Sequence, residues 1–263
     1  MKLFVFIVNL LITFNVNAQD SVNIKDLFCT NEHQDTVCTD KNFNPYTGIV
    51  YEEYENGKLK SKTNYKNGKK DGIAKIHDAN GLLSAEVNFK NGKLDGINKI
   101  YVGGLIFSET NYKDGKVDGI SKIYHVNGQL KYEGNYKNNK LDGINKEYFE
   151  NGRLKSEANF KNGKMDGISK IYYENGQLKY EGNFKDDKLV GIAKKYYENG
   201  KLEEEANYKD DKLDGIVKKY SKNGQLKSEL DYKNGKLEIS LKHLIKSWML
   251  KKKTNYKDRF LIF

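Results

Sequence analysis

A stretch of 24 residues, 162–185, decides the fold, and it reads N-G-K-M-D-G-I-S-K-I-Y-Y-E-N-G-Q-L-K-Y-E-G-N-F-K. It carries two Asn-Gly pairs, Asn162-Gly163 and Asn175-Gly176, with alternating polar and apolar residues between them. Asn-Gly between alternating segments is a strong signal for a β-hairpin, because a type I′ turn needs positive φ at both central residues. Two glycine turns this close leave no helical run. The stretch therefore predicts antiparallel strands joined by tight turns.

The same pattern recurs along most of the chain. Equivalent glycines mark eight copies, at Gly48, Gly72, Gly96, Gly119, Gly143, Gly167, Gly191 and Gly215. The interval is 24 residues, except for one of 23 where Val102-Gly103-Gly104 has lost a residue. A fixed period of this length indicates a repeat architecture. We therefore predict an all-β, elongated array of antiparallel β-hairpins over residues 48–238, with about two strands per repeat.

Treating Asn175-Gly176 as a two-residue turn predicts the strand register. Tyr173 then faces Leu178, and Lys170 falls opposite Glu181 as a pair of opposite charges. The equivalent pairs are Lys75–Glu86, Lys122–Glu133, Lys146–Glu157, Lys194–Glu205 and Lys218–Glu229. One register without a bulge is expected to satisfy both hairpins.

Around the other turn, Asn162-Gly163, the same register pairs Phe160 with Met165 and Ala158 with Gly167. Gly167 also lies opposite Phe184, where its missing side chain is expected to leave room for the ring. The apolar residues collect on one face of a sheet of about sixteen strands. That face must coil, pair with another molecule or be covered by flanking segments.

The polar face carries the candidate binding residues. The register aligns one tyrosine per repeat in a column, Tyr101, Tyr124, Tyr148, Tyr172, Tyr196 and Tyr220, beside a row of isoleucines, Ile120, Ile144, Ile168, Ile192 and Ile216. Tyrosine offers a large contact area at a low entropy cost, which suits protein recognition. The alternative is that the column only stiffens the sheet through cross-strand pairs.

Both ends of the chain differ from the array. Residues 1–18 combine an early Lys2, an apolar run and a small residue, Ala18, before Gln19, which predicts a cleaved signal peptide. In residues 19–47, export favours a disulfide between Cys29 and Cys38. Residues 239–263 predict a short basic amphipathic helix with Trp248, Lys251, Lys252 and Lys253. This tail is interpreted as a membrane contact, an end cap or a degraded ninth repeat.

Charge is distributed unevenly along the 263 residues, whose net charge is +10. Residues 239–263 carry seven Lys/Arg and one Asp, a net +6, and Lys2 contributes one more positive charge. Residues 19–238 therefore hold only +3. A near-neutral array gives no support to nucleic-acid binding.

The repeats resemble the MORN-repeat variant, which is found in tandem in many bacterial proteins. The resemblance rests on Y-Y-E-N-G-x-L-K-x-E and N-Y-K-N-G-K-x-D-G, and on Phe43-Asn44-Pro45-Tyr46-Thr47-Gly48 before the first copy. It implies a repetitive β-hairpin scaffold. Some relatives are labelled antitoxin-like, and eukaryotic arrays are linked to membranes and protein assembly. An export signal is at odds with a cytoplasmic antitoxin.

Catalysis and metal or cofactor binding are not predicted. The histidines, His33, His77, His125 and His243, form no column, and no nucleophile elbow, HExxH or P-loop motif is present. Most carboxylates recur in register, as turn or strand residues do. The sequence predicts an exported, non-enzymatic β-repeat scaffold of the periplasm, cell surface or medium, with an unidentified protein or envelope partner. The alternatives are a glycan- or anionic-lipid-binding module and an antitoxin-like component.

Overall fold

The computed structural model describes residues 21–32 and 35–238. The predicted signal peptide of residues 1–18 lies outside this range, and so does the predicted tail helix of residues 239–263 with Trp248, Lys251, Lys252 and Lys253. Over the described range the chain consists of strands and turns with one short 3₁₀ turn, Ile24–Asp26, which confirms the all-β prediction for the array.

The strands fall into an N-terminal group and the repeat array. The N-terminal group is β1 (Ser21–Asn23), β2 (Phe28–Glu32) and β3 (Asp35–Thr39). The array consists of β4 (Gly48–Glu53), β5 (Leu59–Lys66), β6 (Lys69–His77), β7 (Leu83–Lys90), β8 (Lys93–Leu94), β9 (Gly96–Val102), β10 (Leu105–Lys113), β11 (Lys116–Tyr124), β12 (Leu130–Lys137), β13 (Lys140–Leu141), β14 (Gly143–Tyr148), β15 (Leu154–Lys161), β16 (Lys164–Tyr172), β17 (Leu178–Lys185), β18 (Lys188–Tyr196), β19 (Leu202–Lys209), β20 (Lys212–Tyr220), β21 (Leu226–Lys233) and β22 (Lys236–Glu238).

From β4 to β22 the array is a continuous antiparallel meander, in which each hairpin pairs with the next. The pairs β8/β9 and β13/β14 are single strands of the meander, each interrupted at one residue. β1 pairs in parallel with β4, and β2 and β3 form a separate two-stranded sheet. Two strands per 24-residue repeat, as predicted, build the whole array.

The two kinds of turn differ from each other. Asn162 and Gly163 both have positive φ, 51° and 86°, between the paired residues Lys161 and Lys164, so this is the predicted two-residue type I′ turn. At the other turn Gly176 N–H donates to Tyr173 O at 2.9 Å and Tyr173 N–H donates to Gln177 O at 2.8 Å. That turn is a three-residue loop, residues 174–176, with its glycine left-handed at φ 90°.

The longer loop corrects the predicted register near its end. Tyr172, and not Tyr173, pairs with Leu178, and a bulge at Lys179 absorbs the offset. Beyond this bulge the predicted pairs are confirmed. They are Lys170–Glu181, Lys75–Glu86, Lys122–Glu133, Lys146–Glu157, Lys194–Glu205 and Lys218–Glu229.

A second bulge beside the type I′ turn also contradicts the register without bulges. Phe160 pairs with Met165 as predicted, but Ala158 pairs with Ser169 and not with Gly167. Three residues, 166–168, therefore lie opposite Asn159 alone. Asn159 Nδ2 donates to the carbonyl of Ile168 at 3.3 Å and so satisfies a backbone group that the ladder leaves out. The same bond recurs at Asn111–Ile120 and Asn207–Ile216.

This bulge is what requires the repeated glycine. Gly167 lies opposite Phe184 as predicted, but its φ is 118°, a conformation that side chains rarely adopt. A Cβ at Gly167 would lie 3.0 Å from Asn159 Cβ, and the nearest atoms all belong to that asparagine. The expectation that Gly167 leaves room for an aromatic ring is therefore wrong. The glycine permits the backbone bulge.

The N-terminal segment covers the first repeat of the array. Cys38 and Val50 are buried with Tyr65, and Val22, Ile24, Leu27 and Tyr46 pack against them. Cys38 N–H donates to Gly68 O at 2.8 Å, and Tyr46 N–H donates to Cys38 O at 3.0 Å, so backbone bonds join the segment to the first type I′ turn. At this end a flanking segment covers the apolar face, one of the three predicted solutions.

In the interior repeats, side chains of the sheet itself cover the middle of its apolar face. A line of mostly small residues is buried there, Asn145, Ser169, Ala193, Ala206 and Val217. Tyr180 lies over Gly182, because a Cβ at that glycine would collide with the Tyr180 hydroxyl, and Tyr132 lies over Gly134 in the same way. Each ring therefore folds back along its own strand and shields the backbone.

Candidate partner-binding surface

The six tyrosines predicted to bind a partner lie at or next to the ends of strands β9, β11, β14, β16, β18 and β20, and all are half-buried. Four of them donate a hydroxyl hydrogen bond to a glutamate of the preceding strand, which belongs to the preceding 24-residue repeat. The bonds are Tyr101–Glu86 (3.1 Å), Tyr124–Glu109 (2.8 Å), Tyr172–Glu157 (3.2 Å) and Tyr196–Glu181 (2.8 Å). The tyrosine column therefore links successive repeats as well as forming part of the surface.

Burial and the glutamate bonds change the titration of this column. Burial, together with the bond to Glu109, raises the pKa of Tyr124 to about 12, and burial with the bond to Glu181 does the same for Tyr196. The hydrogen bond from Tyr124, opposed by burial and helped by Lys99, lowers the pKa of Glu109. Tyr124 is thus a neutral donor to a charged acceptor, a strong type of hydrogen bond.

Beside the tyrosines runs a row of lysine–glutamate ion pairs. Predicted pairs close at 3.3 Å for Lys75–Glu86, 3.7 Å for Lys122–Glu133 and 3.8 Å for Lys194–Glu205. Lys99 pairs in the same way with Glu109 of the following strand at 3.3 Å, and Lys170 reaches Glu157 of the preceding strand at 3.9 Å. An exposed ion pair contributes little stability by itself, so the row holds the side chains of this face in place as a network of many pairs.

The isoleucine row is the most exposed apolar feature of this face. The structure extends the predicted row by Ile73 and Ile97. The seven members are 40–53% exposed: Ile73, Ile97, Ile120, Ile144, Ile168, Ile192 and Ile216. Strands lie about 4.8 Å apart, so equivalent residues recur about every 9.6 Å. A shallow pocket of about 160 Å³ opens between Ile144 and Ile168, and Glu157, Asn159 and Lys170 also line it. The row is an apolar stripe with polar borders, as interaction surfaces have.

The loop edge of the sheet is held by bonds between neighbouring repeats. The hydroxyls of Tyr173 and Tyr197 donate to the carbonyls of Tyr196 and Tyr220, both at 2.8 Å. His125 occupies the equivalent position, and its Nε2 lies 3.1 Å from Tyr148 O. This histidine therefore has the structural role that tyrosine has elsewhere.

A pocket of about 340 Å³ lies beside His125. It is lined by His125, Lys131, Tyr132, Glu147, Tyr148, Phe149, Glu150 and Lys155. Lys155 pairs with Glu147 at 3.3 Å across the pocket. Its lining combines aromatic surface with paired charges.

At the opposite edge the recurrent aspartates join successive type I′ turns. Asp142 Oδ2 accepts from the N–H of Asn162 at 3.1 Å, and Asp71 Oδ2 accepts from Asn91 N–H at 3.0 Å. Gly163 N–H in turn donates to Leu141 O at 2.7 Å. The aspartate column is thus a turn feature, which its repetition in the sequence indicates.

Two further features bear on chemistry. Cys29 and Cys38 form the predicted disulfide between paired residues of β2 and β3. Among the described residues, no group of three or more His, Cys, Asp or Glu could hold a metal ion. In the same described ranges, no helix has the length and hydrophobicity of a transmembrane span.

The comparisons with known proteins agree with this geometry. The model of the MORN repeat variant matches residues 46–67, 117–138, 141–162, 165–186, 189–210 and 213–234, and that of the MORN repeat matches residues 64–82. These matches cover half of the chain, so the protein belongs to the MORN-repeat variant family. This family is a non-catalytic repeat scaffold.

The other comparisons add little. No curated protein matches the sequence. A point mutant of TarM from S. aureus, solved with Fondaparinux, alpha-GlcNAc-glycerol and UDP, is 15% identical over 36% of this chain and 19% of its own, with a TM-score of 0.27. An alternansucrase in complex with isomaltononaose is 14% identical over 81% of this chain and 18% of its own, with a TM-score of 0.21. The chain spans under a fifth of either protein, and such low scores carry no argument about function.

Proposed function

We propose that this protein is an exported, non-enzymatic scaffold that binds a protein partner on the face carrying the tyrosine column and the isoleucine row. The observation that carries the proposal is the exposure of seven aligned isoleucines on a face otherwise tied together by ion pairs and Tyr–Glu bonds. A rigid lattice supports an apolar stripe at low entropy cost, because its neighbours are already ordered. The tyrosines border the stripe and add ring area to the contact.

Capture from the native cell-envelope fraction, quantified by mass spectrometry, tests which face binds. The triple variant Ile144→Thr, Ile168→Thr, Ile192→Thr keeps β-branched residues and should lower capture of the specific partner at least tenfold. The matched control changes Ile76, Ile100 and Ile171 to Thr. These are similarly exposed, at 37–49%, but lie on the opposite face. Equal losses in both variants, or no loss in either, would contradict the proposal.

The tyrosine column needs its own test, because its members have both structural and surface roles. Changing Tyr148, Tyr172 and Tyr196 to Ser should weaken capture while the CD spectrum stays that of a β protein. Changing the same three to Phe removes the hydroxyls but keeps the rings, so capture should be largely retained. If the Ser variant captures the partner as well as the wild type does, the column is structural only.

Export is part of the same proposal. Its support is the signal-like sequence of residues 1–18 together with the Cys29–Cys38 disulfide, a bond favoured in oxidising compartments. N-terminal sequencing of the mature protein should begin at Gln19. A protein that keeps Met1 and reduced cysteines in the cell would remove the envelope role.

The tail has a separate role in the proposal, in which Trp248, Lys251, Lys252 and Lys253 contact an anionic membrane surface. Its support is the basic amphipathic pattern of residues 239–263. Truncation after Glu238 should leave the β array folded and abolish binding to anionic vesicles. Vesicle binding that persists in the truncated protein would show that the tail is not the contact.

A further inference from the structure

The type I′ turns place like charges directly opposite each other along one whole edge of the sheet. Every such turn of the described array is flanked by a lysine on both sides, and the two lysines are cross-strand partners. The pairs are Lys66–Lys69, Lys90–Lys93, Lys113–Lys116, Lys137–Lys140, Lys161–Lys164, Lys185–Lys188, Lys209–Lys212 and Lys233–Lys236. We call this set the lysine edge.

Like charges facing each other across strands are destabilising. The same sheet uses the opposite solution a few residues away, where each lysine of the Lys170–Glu181 type faces a glutamate. A type I′ turn restricts only its two central residues, where Asn and Gly adopt positive φ, and it does not require lysine at the flanking positions. Stability alone therefore does not explain why lysine occupies both flanking positions in all eight of these described turns.

The lysine edge is also accessible and continuous. All but one of its lysines are exposed, Lys69 being half-buried. Successive turns touch, since a Cβ at Gly163 would lie 3.7 Å from Lys140 Cβ in the preceding turn. The pairs recur about every 9.6 Å, as the strand spacing requires. The near-neutral total charge of the array hides this excess of lysine, because over the first five turns the aspartate column at the same edge supplies only one carboxylate for each pair of lysines.

Two of the eight turns are electrically neutral, and they interrupt the row of positively charged turns. The tips at residues 185–188 and 209–212 read K-D-D-K and are neutral, whereas those at 66–69, 90–93, 137–140 and 161–164 contain lysine without an acid. Lys185 is also bound to Asp166 at 2.7 Å. The first five turns are thus an unbroken run of tips with a net positive charge.

From this arrangement we propose that the lysine edge, over its first five turns, binds a linear acidic polysaccharide with about one charged group per disaccharide. A disaccharide is comparable in length to the spacing of the lysine pairs, so successive charges can meet successive pairs. Each contact is weak and exposed, and affinity comes from repetition along the polymer.

Other polyanions fit this edge less well. Duplex DNA carries one charge per about 1.7 Å, far denser than the lysine pairs, and the turn tips have no aromatic ring on which a base could stack. Membrane binding gains from apolar side chains that enter the interface, and the tips offer only Asn, Gly, Asp and Lys. The protein-binding face proposed above uses different residues, so either proposal can fail alone.

Binding of the full mature protein to hyaluronan, a linear polymer with one uronic acid per disaccharide, tests the inference, with neutral dextran as the blank. The variant Lys90→Gln, Lys93→Gln, Lys137→Gln, Lys140→Gln should bind at least tenfold more weakly and show a shallower salt dependence. The control, Lys185→Gln, Lys188→Gln, Lys209→Gln, Lys212→Gln, removes the same number of lysines from the neutral tips and should stay within twofold of the wild type.

Folding can be separated from binding, because the first variant removes like-charge pairs and should melt no lower than the wild type. The Ile144→Thr, Ile168→Thr, Ile192→Thr variant should bind hyaluronan normally. Equal loss in the two lysine variants, no loss in either, or tighter binding to a single-stranded DNA oligonucleotide than to hyaluronan would overturn the proposal. So would a loss of anionic-vesicle binding in the first lysine variant as large as its loss of hyaluronan binding.

Discussion

The N-terminal end of the array and its interior repeats bury apolar side chains by different means. At the N-terminal end a separate segment, residues 21–47, lies over the first repeat, and Cys38, Val50 and Tyr65 are 0–4% exposed. In the interior a single layer shields itself with rings such as Tyr180 folded over Gly182. The first arrangement resembles a small globular core, whereas the second depends on backbone bulges and bonds between repeats. Repeat proteins of this kind need a distinct capping element at the end.

The largest difference between the two regions should follow removal of an equivalent aromatic ring. Tyr65 and Tyr208 occupy the same position in their repeats, but Tyr65 is buried and Tyr208 is half-buried. Tyr65→Ala should cost about 3–4 kcal/mol of local stability and Tyr208→Ala roughly 1–2 kcal/mol, since less area is lost there. Hydrogen exchange of each region measures both. Equal costs would mean that the N-terminal core is not a separate unit.

The disulfide should matter only at the N-terminal end. Cys29→Ala with Cys38→Ala should lower stability there by about 2–3 kcal/mol, because the crosslink restricts the unfolded segment. Amide protection should fall in residues 21–77 and stay unchanged in residues 140–215. Reduction of the wild type is an independent check, and loss of protection throughout the array would show that the two regions fold as one.

Among the interior repeats, the bulge glycines can be compared with each other. Gly167→Ala should cost roughly 2–3 kcal/mol, because φ is 118° and the new Cβ would meet Asn159 at 3.0 Å. Gly191 has φ 71° and no neighbour within 4 Å, so Gly191→Ala should cost only about 1 kcal/mol. Denaturation of the two variants would decide this. A larger cost at Gly191 would contradict the role given to the asparagine bulge.

The smallest expected effect is the loss of the Tyr–Glu bonds at high pH. An unfolded tyrosine has a pKa of about 10, whereas Tyr124 and Tyr196 have a pKa of about 12. The two Tyr–Glu bonds therefore contribute their full stability to the fold below about pH 10, and this contribution disappears as the pH rises through about 12. Ultraviolet titration should show several late-ionising tyrosines in the wild type and two fewer in the Tyr124→Phe, Tyr196→Phe variant. Ionisation of all tyrosines near pH 10 would contradict the bonds.

Much of the fold could be predicted because its signals are local. The type I′ turn at Asn162-Gly163, the Lys170–Glu181 pairing and the Cys29–Cys38 disulfide each depend on residues close in sequence. The three-residue loop before Gln177 could not be read from the same Asn-Gly signal, since a two-residue turn and a loop closed by a left-handed glycine use it equally well.

The candidate site was less accessible to sequence reasoning. Strand alternation was enough to group the tyrosine column with the isoleucine row, but neither the hydroxyl bonds of the tyrosines nor the lysine edge was recognised. The bonds join residues 15 positions apart on adjacent strands, as in Tyr124–Glu109, and strand alternation alone does not specify which acceptor each hydroxyl finds. The flanking lysines of K-N-G-K were visible and would have indicated the lysine edge.

The amino-acid sequence by itself determined the 24-residue period, the hairpins and the division of the sheet into two faces, because side chains alternate and turn residues restrict φ over a few positions. Only the tertiary structure decided where Asn159 bridges a bulge, how residues 21–47 cover the first repeat, and which apolar side chains remain exposed on the candidate binding face. Those outcomes depend on contacts between neighbouring strands and repeats. Several strand registers fit the alternating pattern equally well, and a single contact, such as one asparagine amide bond or one packed ring, decides which of them is most stable.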